Sequence, residues 1–141
     1  MSATGSYNKL VPEPTSHSAR YWEGLNERKL LLQKCGSCGR IRHYPQPMCP
    51  ACHSMEVEWV EASGRGVVHS WTITHHAFHP GLREDLPYTL ATVDLEEGVR
   101  MNAQLRGARP KDLRIGLPVR VAFETVKEGL ALLYLIPEDA A

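Results

Sequence analysis

No apolar run in this sequence approaches the roughly 18 residues that a membrane-spanning helix needs. The first residues, MSATGSYNKLVPEP, contain no apolar core of the kind that drives secretion. The expectation is a cytoplasmic, reducing location, where structural disulfides do not persist. The four cysteines are then expected to be thiols or metal ligands. Net charge is also absent, with 16 Lys/Arg against 16 Asp/Glu. That balance conceals an asymmetry. Residues 1–55 carry seven Lys/Arg and three Asp/Glu, whereas residues 56–141 carry nine and thirteen. The basic excess lies around the cysteines, and the larger C-terminal part is acidic. Such a part has the wrong sign for a groove that tracks nucleic-acid phosphates. Its aromatics are not interleaved with Lys or Arg, as a base-stacking platform requires.

With 141 residues, 43% of them hydrophobic, the chain can build one ordinary domain or two very small ones. Residues 1–15, with Pro12 and Pro14 among small polar residues, read as a flexible arm. A helix is expected from about Ser18 to Arg28, capped by Ser16 or Ser18, with Tyr21, Trp22, Leu25 and Lys29 along one face. Gly24 inside it costs about 1 kcal/mol relative to Ala. Leu30 to Gln33 reads as a short strand leading into Cys35.

Beyond Val57 the pattern changes to short strands. Val67, Trp71 and Ile73 alternate on one face of the first, and Thr89–Leu95 forms a second. Met101, Ala103 and Leu105 mark a third, Val119, Val121 and Phe123 a fourth, and Leu130–Ile136 a fifth. Glu96-Glu97-Gly98 and Lys127-Glu128-Gly129 read as hairpin turns, and Pro110–Arg114 as one helical turn. The pattern gives a small β-barrel or sandwich. The longer connection between the third and fourth strands points to the five-stranded OB barrel.

The stretch Cys49-Pro50-Ala51-Cys52-His53 fits haem attachment, a redox pair or half a zinc site. Ten residues upstream stands Cys35-Gly36-Ser37-Cys38, which haem attachment leaves unexplained. A redox pair belongs near a βαβ pattern, which is missing. Two C-x-x-C turns supply four converging thiolates and close a tetrahedral site at Cys35, Cys38, Cys49 and Cys52. The expected ion is one structural Zn²⁺ per chain; iron in a rubredoxin-type site is the thiolate alternative. His53 competes as a ligand, but four thiolates already complete the shell. A segment this poor in apolar residues needs its metal to fold.

The segment HHAFHPGLREDLPY, residues 75–88, holds three of the seven histidines together with Phe78 and Tyr88. It can be read as a catalytic or second metal site, as a solvated loop, or as a recognition loop. No cysteine or close carboxylate pair completes a catalytic set. An ordered loop of this length in a small barrel is usually functional. Phe78, His79 and Tyr88 are therefore candidate contacts of a recognition surface. Tyr21 and Trp22 are further candidates if exposed, with packing on their own domain as the alternative. Trp59 and Trp71 are expected in the core or at a barrel end. Arg40, Arg42 and His43, after the first cysteine pair, form either a solvated turn or a phosphate cradle.

Trp22–Leu25, the run 30–39, the run 48–52, Glu58–Gly66, Phe78–Gly81, Leu86–Tyr88 and Asp112–Val119 together carry a family likeness. Over about residues 16–137 the chain resembles a bacterial and archaeal family of OB-fold proteins with a rubredoxin-like zinc ribbon, long labelled a domain of unknown function. The resemblance implies a helix and short strand at 16–34, a zinc ribbon at 35–55, an OB barrel at 56–137 and a tail at 138–141. It further implies a non-catalytic accessory subunit of an acyl-CoA enzyme: a thiolase-superfamily acyltransferase, a hydroxymethylglutaryl-CoA synthase, or a lipid-transfer-protein-like aldolase of steroid side-chain degradation. A hot-dog-fold hydratase is a further implied partner. The alternative expectation is a stand-alone binder of acyl-CoA, a nucleotide or nucleic acid.

Overall fold

The computed structural model describes residues 9–139. Residues 1–8 of the expected arm and residues 140–141 of the expected tail lie outside the described residues. The fold is mainly β: one helix, α1 (Ala19–Asn26), then a three-stranded sheet and a closed five-stranded barrel. Among the described residues no helix is long and apolar enough to cross a membrane.

Helix α1 is short because both ends are fixed. Ser18 stands at its N-terminal boundary but makes no side-chain bond into the helix. Its hydroxyl instead accepts from the Thr15 N–H at 2.9 Å. At the other end Arg28 adopts φ 62°, and Lys29 N–H donates to the Gly24 carbonyl at 2.8 Å. That is a Schellman stop with arginine in the position usually held by glycine. Lys29 therefore lies beyond the helix rather than on its apolar face. Gly24 has a packing reason: a Cβ there would stand 2.8 Å from the Leu31 side chain. The missing methyl lets the helix lie directly on the first strand.

That strand, β1 (Leu31–Cys35), is central in the small sheet, between β2 (Ile41–Arg42) and β3 (Val57–Glu61). β3 carries this sheet past residue 56, where the barrel was expected to begin. β3 pairs antiparallel with β1 from Leu31↔Glu61 to Cys35↔Val57, so it completes the ribbon's sheet. Trp59, half-buried, belongs to that sheet and not to the barrel. The pairing spans more than 20 residues of chain, which local pattern cannot register.

The barrel comprises β4 (Arg65–Thr74), β5 (Tyr88–Leu95), β6 (Arg100–Leu105), β7 (Pro118–Lys127) and β8 (Leu130–Pro137), in the order β4-β5-β6-β8-β7. All neighbours are antiparallel except β6 and β8, which meet in parallel at Leu105↔Leu135. This is the OB closure expected from the long third connection, whose Pro110–Asp112 forms a 3₁₀ turn. β4 departs from simple alternation. A register shift between Val68 and Ser70 places Val68 inside and Val67 outside, while Trp71 and Ile73 still pack against the core. A β-bulge of this kind moves every later side chain by one position. Gly66 permits close strand approach, since a Cβ there would stand 2.5 Å from the Asp94 carbonyl oxygen.

One core joins both parts. Leu30 and Leu32, flanking and within β1, pack with Val68, Val93, Leu105, Val119 and Leu135 of the barrel. Burying each such side chain contributes about 1.5–3 kcal/mol. The joint is also hydrogen-bonded. Ser63 N–H donates to Glu97 Oε2 at 2.8 Å, and Asn102 N–H on β6 donates to the Tyr44 hydroxyl at 2.8 Å.

Candidate metal centre and exposed recognition loop

The two cysteine pairs sit on tight turns at one end of the small sheet. Cys35 closes β1, and its N–H donates to the Arg40 carbonyl at 2.8 Å, folding the first turn back. The second is closed by Cys49 N–H donating to the Ser54 carbonyl at 2.9 Å. The hydroxyls of Ser37 and Ser54, 2.7 Å apart, bond one turn to the other. The sulfurs of Cys35, Cys38, Cys49 and Cys52 all lie within 4.8 Å of one another. Across the turns, Cys35 Sγ is 3.5 Å from Cys52 Sγ and Cys38 Sγ is 3.7 Å from Cys49 Sγ. A tetrahedron of sulfurs about 2.3 Å from a central zinc has edges of about 3.8 Å, so the set fits that ion.

Backbone N–H groups prepare these sulfurs for the thiolate form. Cys38 N–H and Ser37 N–H reach Cys35 Sγ at 3.3 and 3.4 Å, and Ala51 N–H reaches Cys49 Sγ at 3.4 Å. The N–H donors of Cys38 and Ser37 pull the Cys35 thiol down to about 6. The N–H of Cys52, with that of Ala51, lowers Cys49. Cys52 is pushed up to about 11: the Ser54 N–H lowers it, but Cys35, its own burial and the other two thiols outweigh that donor. A dication at their centre would hold all four sulfurs as thiolates. Four sulfur ligands leave a tetrahedral ion no open position, which is the mark of a structural site. Among the described residues this is the one group of three or more Cys, His, Asp or Glu side chains that could hold an ion. The second-metal reading of His75, His76 and His79 is thereby corrected, because these histidines do not converge with one another or with a carboxylate into such a group.

The phosphate-cradle reading also fails. Arg42 is buried, its Nε donating to Gln33 Oε1 at 2.7 Å and its Nη2 to the Gln46 carbonyl at 3.2 Å. His43 is largely enclosed, and burial pushes its imidazole down to about 4, so it is neutral. Only Arg40 of that trio is exposed.

Tyr21 and Trp22 stack edge to face at 5.1 Å, and Tyr21 also meets the His43 ring at 5.4 Å. Tyr21 packs against the core, and burial raises its hydroxyl to about 12. Tyr21 therefore packs at the joint between helix and sheet. Trp22 is half-buried beside it.

Loop 75–88 is more ordered than its composition suggested. Pro80–Asp85 forms a 3₁₀ helix, started by His79, whose Nδ1 accepts the Gly81 N–H at 3.0 Å. Its far end is tied down by Lys9, 2.8 Å from Asp85. Phe78 stands just before this capped turn, 76% exposed, with its ring edge-on to His76 at 4.6 Å. Tyr88, half-buried, is already the first residue of β5, paired with Thr74. Beside the loop lies an open cleft of about 600 Å³ lined by Leu82, Gln104 and Leu132 and by two ion pairs, Lys9–Asp85 at 2.8 Å and Arg106–Glu124 at 3.0 Å. The buried Gln33–Arg42 pair, the Tyr44 hydroxyl and the Lys9 anchor carry no local sequence signal.

Comparison with known proteins accords with this architecture. Residues 22–58 match the family described as "ChsH2, rubredoxin-like zinc ribbon domain", and residues 59–124 match "ChsH2, C-terminal OB-fold domain". A "DUF35 domain-containing scaffold protein" of Methanocaldococcus jannaschii is 32% identical over 77% of this chain and 78% of its own length. A "Probable enoyl-CoA hydratase alpha subunit" of Thermomonospora curvata is 39% identical over 78% of this chain. The chain spans about a third of the length of that relative and of a second hydratase alpha subunit. Among solved structures, a chain of the "Ltp2-ChsH2(DUF35) aldolase" superposes with a TM-score of 0.82 at 35% identity, covering 90% of this chain and 98% of that one.

Proposed function

This chain belongs to the ChsH2/DUF35 family of zinc-ribbon and OB-fold proteins, and from that premise we propose that it is a non-catalytic accessory subunit of an acyl-CoA enzyme. The partner is a thiolase-like acyltransferase or a lipid-transfer-protein-like aldolase, and the setting is cytoplasmic lipid or steroid side-chain metabolism. A hot-dog-fold hydratase is the further partner, suggested by the names of the longer relatives.

The observation that carries this reading is Phe78. An aromatic ring 76% exposed, yet fixed beside a capped and ion-paired turn, suits an interface anchor better than a solvated loop. His79 positions that anchor by capping the turn, and Tyr88 ends the loop at the start of β5. The metal supports the same view from the other side. Cys35, Cys38, Cys49 and Cys52 would hold one Zn²⁺, which supplies folding energy to the ribbon and, with four thiolates around it, no catalytic position.

The test is co-expression with the thiolase-like or aldolase-like enzyme encoded nearest to it. A stable complex that raises that enzyme's solubility or turnover is expected. Acyl-CoA turnover by the isolated chain, or failure to associate with any such enzyme, refutes the proposal.

A second reading, stand-alone binding of acyl-CoA or a nucleotide, is favoured by the cleft beside the loop, whose size suits a small molecule. Its charges are already paired with each other, which leaves little to attract phosphates. Calorimetry with acyl-CoA and with ADP separates the readings, because only stand-alone binding gives heat without a partner enzyme.

A further inference from the structure

Arg42 and Gln33 are the buried polar or charged residues of the described fold, and Arg42 is only 6% exposed. Its guanidinium meets no carboxylate. Gln33 Oε1 and the Gln46 carbonyl accept two of its N–H groups, and Nη1 is buried without a protein partner. A buried cation met only by neutral acceptors is strongly disfavoured. The surrounding sequence offers no relief. Residues 28–55 contain five Lys/Arg and no Asp or Glu. The glutamates of β3 are exposed, across β1 from Arg42.

The negative charge available inside the ribbon is that of the metal centre, where four thiolates around one dication leave two net charges. Arg42 lies on the same framework as those thiolates. Gln33, its cross-strand partner, precedes Cys35 by two residues and so shares its face of β1. Gln33 Oε1 also accepts the Gln46 N–H at 2.8 Å, and Gln46 is three residues from Cys49. The guanidinium therefore bridges the two chain segments that lead into the two cysteine turns. Lys34 and Arg40 are more exposed, and solvent and salt screen exposed charges; a buried charge keeps its field.

We propose that Arg42 is the internal counter-charge of the tetrathiolate metal centre. Its field raises the zinc affinity of the four cysteines, and the centre's charge in turn makes a buried guanidinium tolerable. Gln33 is the positioning residue that holds it there.

The test measures zinc affinity of the full chain by competition with a chromophoric chelator, alongside the cobalt-substituted spectrum. Arg42→Met is expected to weaken zinc binding about 10- to 100-fold, the range for loss of an outer-shell partner. Its cobalt spectrum should remain that of a tetrahedral tetrathiolate. Arg42→Lys, which keeps the charge, should retain most of the affinity. Gln33→Glu is nearly isosteric and still accepts from Arg42 and Gln46, but it neutralises the guanidinium locally. It is therefore expected to weaken zinc binding as well, and it decides the matter alone if Arg42→Met does not fold. Unchanged affinity in Arg42→Met or in Gln33→Glu overturns the proposal. So does an equal loss in Arg42→Lys and Arg42→Met, which would mean that shape and not charge is what matters.

Discussion

Replacing Phe78 by alanine separates an interface anchor from a structural plug. A phenyl group filling a barrel end would cost about 3 kcal/mol on truncation. Phe78 is instead 76% exposed, so about a quarter of its surface is covered by its own chain, with the His76 ring edge-on to it. Full burial of a phenylalanine contributes up to about 3 kcal/mol, so losing that quarter should cost about 0.5–0.8 kcal/mol. For a chain of 141 residues this lowers the melting midpoint by about 1–3 °C. Zinc content should not change, because the cysteine turns belong to the other sheet. Loss of an aromatic anchor at an interface costs about 2 kcal/mol or more, roughly a 30-fold fall in affinity. The two quantities are read on one preparation, by thermal unfolding and by titration against the partner enzyme. An unchanged affinity in a folded variant eliminates Phe78 as a contact. A fall of about 8 °C or more would show that the ring supports the fold after all.

Cys38→Ser should lose the metal and unfold at least the ribbon; elemental analysis of the wild-type protein showing less than about 0.3 zinc per chain, or a rubredoxin-like iron spectrum, would reject the zinc assignment. Leu32, fully buried where the ribbon strand meets the barrel core, should cost about 2–5 kcal/mol as Leu32→Ala, and because the core is shared, one cooperative transition should move. Two separate transitions in denaturant would contradict a common core. His43, held neutral by burial with its folded value at about 4, takes up its proton more readily when unfolded. Its contribution is full above about pH 6.5 and is lost as pH falls toward 4, about 1.4 kcal/mol per unit across that window. His43→Phe should flatten the fall in stability between those pH values, and an unaltered slope would contradict the enclosed, neutral imidazole.

The barrel was legible because its signals are local. Alternation in Met101–Leu105, turn glycines at 98 and 129, and Pro110 at the head of a helical turn each act within a few residues. One irregularity escaped for the same reason. The bulge between Val68 and Ser70 turns Val67 outward, and alternation read from a single strand cannot see its partner's register. The 75–88 loop stood out by composition, yet the His79 cap and the Lys9–Asp85 tie that order it depend on geometry and on a residue some 75 positions away.

By itself the sequence determined the four-cysteine motif and the class of fold. Thiolate ligands at C-x-x-C spacing converge through turn geometry alone, and a period of two with turn residues dictates strands whatever surrounds them. Tertiary structure decided which strands pair and which polar groups are withdrawn from water. β3 joined the ribbon because its hydrogen-bonding edge meets β1, and Tyr21 became a joint residue because His43 packs on it. Arg42 became a buried cation because Gln33 and Gln46 lie across a strand and a loop from it. The physical reason is common to all three. Pairing and burial are relations between segments far apart in the chain, and their free energy appears only when the whole fold brings those segments together.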